Sequence, residues 1–125
     1  MERRKVESYK DLIVWQKSMD LVCEIYHLTK NFPPSELYGL TSQMRRCAVS
    51  IPSNIAEGRR RGTRRDYRQF LIIAFGSGAE LETQLEIVKR LKFTNDAVYT
   101  KALSLLDEIM RMLNKMTAEL NSTSY

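Results

Sequence analysis

YRQFLIIAFGSGAELETQLEIVKRL, residues Tyr67 to Leu91, is the stretch whose reading decides the fold. Tyr67, Leu71, Ala74, Gly78, Leu81, Leu85 and Val88 recur at steps of 4, 3, 4, 3, 4 and 3, which keeps seven side chains on one face of an α-helix. Thr63 stands where an N-cap belongs, and Asp66, three residues on, takes the position usually held by Glu in a capping box. The small residues Ala74, Gly76, Ser77, Gly78 and Ala79 sit mid-helix. A glycine there costs about 1 kcal/mol relative to alanine, so the patch predicts a close approach by another backbone.

Working outward, the neighbouring segments carry the same periodicity. Before the stretch, Leu37, Leu40, Met44, Cys47, Ile51 and Ile55 mark a second helix with Pro52 in its middle. The phase passes through Pro52 almost unchanged, favouring one helix kinked at the proline over two helices with Ser53 or Asn54 as a new cap. Gly58 and Gly62 bracket Arg59, Arg60 and Arg61, placing that triplet at a helix end and turn. Earlier still, Leu12, Trp15, Met19, Val22 and Tyr26 form a helical face with Asp11 as candidate cap. Asn31-Phe32-Pro33-Pro34-Ser35 ends that helix, and Ser35 with Glu36 opens the next. After the stretch, Thr94-Asn95-Asp96 makes a turn whose Asn95 or Asp96 caps a last helix. That helix has two apolar rows: Val98, Ala102, Leu105, Ile109, Met112, Met116, and beside them Tyr99, Leu103, Leu106, Met110, Leu113, Leu120. Two rows are wider than one bundle core requires, so part of this face is expected against another subunit. The chain therefore reads as a single all-α domain, an antiparallel up-down-up-down four-helix bundle with helices near 11–30, 36–60, 63–92 and 96–120. The tail Asn121 to Tyr125 is polar and expected to fray.

Charge is distributed unevenly along this frame. From Gln43 to Arg68 the chain holds Arg45, Arg46, Arg59, Arg60, Arg61, Arg64, Arg65 and Arg68 against Glu57 and Asp66, a local charge of +6 in a chain of +5. The excess is arginine, whose planar fork matches phosphate oxygens in pairs. With a sequence pI of about 9.4, nucleic acid or an anionic surface is the expected partner. The lead MERRKVESYK has no apolar core, and no apolar run approaches the ~20 residues that cross a bilayer, so a cytoplasmic protein is expected. Cys23 and Cys47 have no metal-type spacing and read as small core residues of a reducing compartment.

Few residues suggest other chemistry. Glu24 and His27 have the Glu-x-x-His spacing of carboxylate-bridged di-metal bundles, but His27 is the sole histidine, so the chain cannot complete such a site and no metal is expected. Gly76-Ser77-Gly78 lacks the third glycine and preceding strand of a dinucleotide loop, and the Gly-Lys-Ser/Thr of a phosphate loop. Ser50, Ser53 and Asn54 have no histidine nearby, and no lysine lies between Asn31 and Arg68, so no catalytic residue is assigned. Glu80 and Gln84 interrupt the flank Phe70, Ile73, Ser77, Glu80, Gln84, Ile87, Leu91. They are expected at a subunit interface or pore, or bonded across helices to an arginine.

One set of motifs resembles a known family. It comprises Asp11-Leu12 with Trp15-Gln16-Lys17, Tyr26, Phe32-Pro33, Glu36, Tyr38-Gly39-Leu40-Thr41-Ser42-Gln43, Arg45-Arg46-x-Ala48, and Ser50-Ile51-Pro52-Ser53-Asn54-Ile55-Ala56-Glu57-Gly58. Further on come Phe70-Leu71, Gly76-Ser77 and Glu80-Leu81-Glu82-x-Gln84-Leu85. Together they resemble the bacterial four-helix bundle proteins encoded in intervening sequences of 23S ribosomal RNA genes, over about Ser8 to Leu120. The string Ser-Ile-Pro-x-Asn-Ile-Ala-Glu-Gly is the specific part. Gly78 stands where a bulkier residue is expected, implying looser packing. The resemblance implies a non-enzymatic homopentamer without cofactor. It also implies similarity to the accessory protein of diversity-generating retroelements, a basic pentameric barrel that binds nucleic acid and a reverse transcriptase.

These readings converge on one expectation and one alternative. The expected protein oligomerises through the fourth-helix face and the third-helix flank, with Arg45, Arg46, Glu80 and Gln84 at the interface or pore. It binds RNA or DNA phosphate through Arg59, Arg60, Arg61, Arg64, Arg65 and Arg68, with weak sequence preference because few exposed aromatics accompany those arginines. The alternative is a scaffold or accessory subunit whose basic end receives an acidic protein.

Overall fold

The structure, a computed structural model of the chain, describes residues 7–122. Its helices are α1 (Ile13–Thr29), α2 (Ser42–Arg61), α3 (Arg64–Leu91) and α4 (Asp96–Ser122). Each helix packs on two neighbours, α1 on α2 and α4, and α3 on α2 and α4, which is an up-down four-helix bundle. The connections explain the alternation: α2 and α3 are separated by Gly62 and Thr63 alone, and α3 and α4 by Lys92 to Asn95. No described helix is long and apolar enough to cross a membrane.

Local chemistry sets most of the boundaries. Thr63 Oγ1 accepts the backbone N–H of Asp66 at 3.1 Å, and Asn95 Oδ1 accepts that of Val98 at 3.1 Å, so both expected caps are made. Gly62, at φ +85°, closes α2 in the left-handed conformation. Asp11 behaves differently from the expectation. Its carboxylate accepts the N–H groups of Glu7 and Ser8, at 2.9 and 3.2 Å, within a short 3₁₀ turn (Tyr9–Asp11), and α1 begins after it without a side-chain cap. The second helix is approached through a 3₁₀ turn (Pro34–Glu36) and a wide π-type turn (Leu37–Thr41), where Glu36 accepts the Leu40 N–H at 3.2 Å. Gly39 has non-helical dihedrals in that turn, whereas α2 runs unbroken from Ser42 to Arg61 with Pro52 inside it.

The core follows the α3 seam closely. Leu71, Ala74, Gly78, Leu81, Leu85 and Val88 are all buried and meet Met44, Ile51 and Ile55 of α2, with Leu106, Ile109 and Leu113 of α4. In α1 the buried face is Val14, Ser18, Leu21, Ile25 and Leu28, one position away from the expected row, and Met19 and Tyr26 lie exposed. Ser18 hides the true row from a hydrophobicity count, because its hydroxyl bonds the Trp15 carbonyl at 2.8 Å and is satisfied within the helix. The same rotation puts Cys23 on the surface, contrary to the expectation of a core thiol, while Cys47 is buried.

Two corrections concern packing width. The second row of α4 is mostly consumed within one bundle. Leu106, Met110 and Leu113 are buried, Tyr99 and Leu120 are half-buried, and only Leu103 is substantially exposed among that row's large apolar side chains. A helix wedged between two neighbours needs two apolar rows, so the width of α4 does not by itself require another subunit. Gly78 does not loosen the core either, because the Met110 thioether fills the space a side chain there would take. Gly76 is the opposite case, exposed with nothing within 4 Å of an added Cβ. Gly76→Ala is therefore expected to raise unfolding free energy by about 0.5–1 kcal/mol in a urea titration, and a loss would contradict the open site.

Candidate nucleic-acid interface

The tight Gly62-Thr63 turn sets the last turn of α2 beside the first turn of α3, bringing Arg59, Arg60 and Arg61 to the same end as Arg64, Arg65 and Arg68. The topology adds the Tyr9–Asp11 turn and the end of α4. Arg68 Nε donates to the Thr117 carbonyl at 3.1 Å and Arg64 Nη2 to the Glu119 carbonyl at 3.5 Å. Both acceptors lie in the last two turns of α4, where the helix dipole is negative. These two arginines therefore have a structural duty at the base of the cluster. Arg61 is also engaged, ion-paired to Glu57 at 3.0 Å and lying 5.0 Å from the Phe70 ring centroid.

The remaining three arginines are exposed and carry no hydrogen bond or ion pair among the described residues. Arg60 lies 5.6 Å from the Tyr9 ring centroid, and Tyr9 is braced edge-on by Trp15 at 5.3 Å. Arg59 and Arg65 have no cation–π contact among the described residues. Arg59 shares a recess of about 240 Å³ with Gly62, Thr63, Arg64, Tyr67 and Leu120. Burial pushes the Tyr67 phenol above its ordinary pKa, and the Arg59 charge opposes that shift. Tyr67 therefore stays neutral near pH 7. Three half-buried rings, Tyr9, Tyr67 and Phe70, lie near Arg60, Arg59 and Arg61 respectively.

The second arginine pair separates into two roles. Arg45 Nε donates to Thr29 Oγ1 at 2.9 Å and its guanidinium lies 4.5 Å from the Tyr26 ring centroid, so it ties α2 to α1 within the bundle. Arg46 is exposed, with one long bond of 3.4 Å to Ser42 Oγ, and it stands between two clefts. The first, about 480 Å³, is lined by Tyr26, Leu37, Tyr38, Arg45 and Val49 among others. The second, about 190 Å³, is lined by Gln43, Cys47, Ser50, Ser77 and Glu80 besides Arg46. Glu80 is exposed, whereas Gln84 is only 5% exposed and its Oε1 finds no donor. Burial, then the Glu80 carboxylate, raise the Cys47 thiol to a pKa of about 11, and Cys47 Sγ donates to the Ser77 carbonyl at 2.9 Å. A protonated buried thiol is a poor nucleophile. Ser50 Oγ shares a hydrogen bond with Ser77 Oγ at 2.8 Å and accepts Asn54 Nδ2 at 2.9 Å, which accounts for the polar residues near Pro52.

A family model for the 23S rRNA-intervening sequence protein matches residues 10–115. The chain belongs to that family. Among solved structures it is similar to a protein of unknown function from the S23 ribosomal protein family of Bacteroides thetaiotaomicron VPI-5482. The two share 25% identity and a TM-score of 0.77, covering 85% of this chain and 96% of the other. A comparison with curated proteins gives no match. In this family member the Glu24 carboxylate is ion-paired to Lys101 at 3.1 Å, and no group of three or more His, Cys, Asp or Glu among the described residues is placed to hold a metal ion. Tyr9 is the site residue that sequence reasoning could not find, because its neighbour Arg60 lies on another helix far along the chain. Tyr67 had a signal, since it follows Arg64 by three residues on one helix face.

Proposed function

We propose that this chain is a non-enzymatic, self-associating bundle, without a cofactor, that binds the phosphate backbone of RNA or DNA through its arginine-rich end. The observation that carries the reading is the convergence at one end of the bundle of exposed Arg59, Arg60 and Arg65, which carry no ion pair among the described residues. Like charges so close repel unless an anion lies among them. Arg64 and Arg68 hold the platform on which they stand, so contacts to phosphate are made mainly by the other three. The family's name ties its members to intervening sequences in 23S rRNA, which makes structured RNA the first partner to try. Ultraviolet cross-linking to RNA followed by peptide mapping should give adducts at Tyr9 and Tyr67. Adducts confined to the Tyr38 end would sink the reading.

Self-association is supported by apolar side chains left uncovered on α1, the turn before α2, and α2. Tyr38 is 93% exposed, and Tyr26, Leu37 and Val49 lie exposed around the cleft beside Arg46. An apolar patch rimmed by a cation is the character of a subunit contact. Tyr38→Glu with Val49→Glu should therefore reduce the assembly to monomer in sedimentation velocity, while Leu103→Glu on α4 leaves it intact. Dissociation by Leu103→Glu alone would restore the fourth helix as the interface.

A further inference from the structure

We infer that the recess beside Arg59 accepts a single unpaired nucleotide, its base against the Tyr67 ring and its phosphate on Arg59. The inference rests on the phosphate-binding reading of that end and adds a ligand class to it. The recess, about 240 Å³, has a mixed lining that phosphate alone does not explain. Tyr67 and Leu120 give it an apolar wall and Arg59 and Arg64 charge its side. Gly62, with no side chain, forms part of its boundary at the α2–α3 turn. Its size falls below the ~300–1,000 Å³ of pockets that enclose drug-sized ligands, which suits one ring system and not a larger metabolite. Neutral Tyr67 offers a π-surface without charge repulsion toward an anionic strand. An aromatic ring next to guanidinium groups is the pairing that stacks a splayed base and holds its backbone. Bases inside a duplex have no face to offer, so the site selects a bulge, loop or single strand.

The test uses three blunt-ended, labelled RNA duplexes of one sequence: fully paired, carrying a one-nucleotide bulge, and carrying an abasic residue at the bulge. Anisotropy titrations at fixed salt should show the bulged duplex bound about tenfold more tightly than the other two, a stacking contribution of ordinary size. Tyr67→Leu should erase that preference. Should that variant fail to fold by circular dichroism, Leu120→Glu provides a second block of the recess and should also erase the preference. Equal binding to all three duplexes overturns the inference and leaves the phosphate reading standing. Equal tightening by the abasic bulge also overturns it, since flexibility would then be what is recognised. A preference that persists in a folded variant removes the site from Tyr67, and failure to bind any duplex removes the phosphate reading itself.

Discussion

Replacing Arg59, Arg60 and Arg65 together by glutamine is expected to weaken RNA binding by on the order of 10²- to 10³-fold near 0.1 M salt, with the bundle and its assembly unchanged. The magnitude follows from counterion release, in which each phosphate contact is worth somewhat under one decade of affinity at that salt. The choice of residues follows from the structure. All three are exposed and have no ion pair among the described residues, so removing their charge leaves no described partner stranded. Substituting Arg68 instead would confuse binding with stability, because its Nε holds the Thr117 carbonyl at 3.1 Å. Electrophoretic or anisotropy titration checks the affinity, and sedimentation velocity checks the assembly.

Gly58→Val is expected to destabilise the protein by about 3 kcal/mol or more, lowering the melting temperature by about 10 °C. Gly58 is buried where α2 crosses the first turns of α3, and a Cβ there would lie 2.7 Å from Phe70 Cβ and 3.3 Å from the Tyr67 carbonyl. Neither neighbour is the far end of a flexible side chain, so the helices themselves must part. The consequence extends to the site, because the same crossing sets Arg59 beside Tyr67. A thermal melt that shifts by less than about 3 °C would show that the crossing is looser than described.

How far the sequence could lead is clearest from four particular elements. The α3 seam was legible because one uninterrupted row of seven positions admits a single helical face, and every member except half-buried Tyr67 is buried. The α1 face was not, because Ser18 breaks the true row and leaves Leu12, Trp15 and Met19 as the more apolar alternative. The two rows of α4 show its width, but periodicity does not say how many neighbours share it, and within the bundle α1 and α3 cover most of it. Gly58 reads in the sequence as part of a helix end, yet it serves a crossing four residues before Gly62. At the arginine end, charge was legible as composition, but its division into structural Arg64 and Arg68 and exposed Arg59, Arg60 and Arg65 depends on where α4 ends. Tyr9 and Leu120 reach that end only through the closed square of helices, a non-local fact that no local pattern encodes.

The central claim is that the arginine end holds nucleic acid by its phosphates, and the salt dependence of binding tests it most directly. A plot of log affinity for RNA against log salt should fall with a slope of about −2 or steeper, and the triple glutamine variant should be shallower by about 2. A flat plot for the native protein, or an unchanged slope in the variant, would contradict the account.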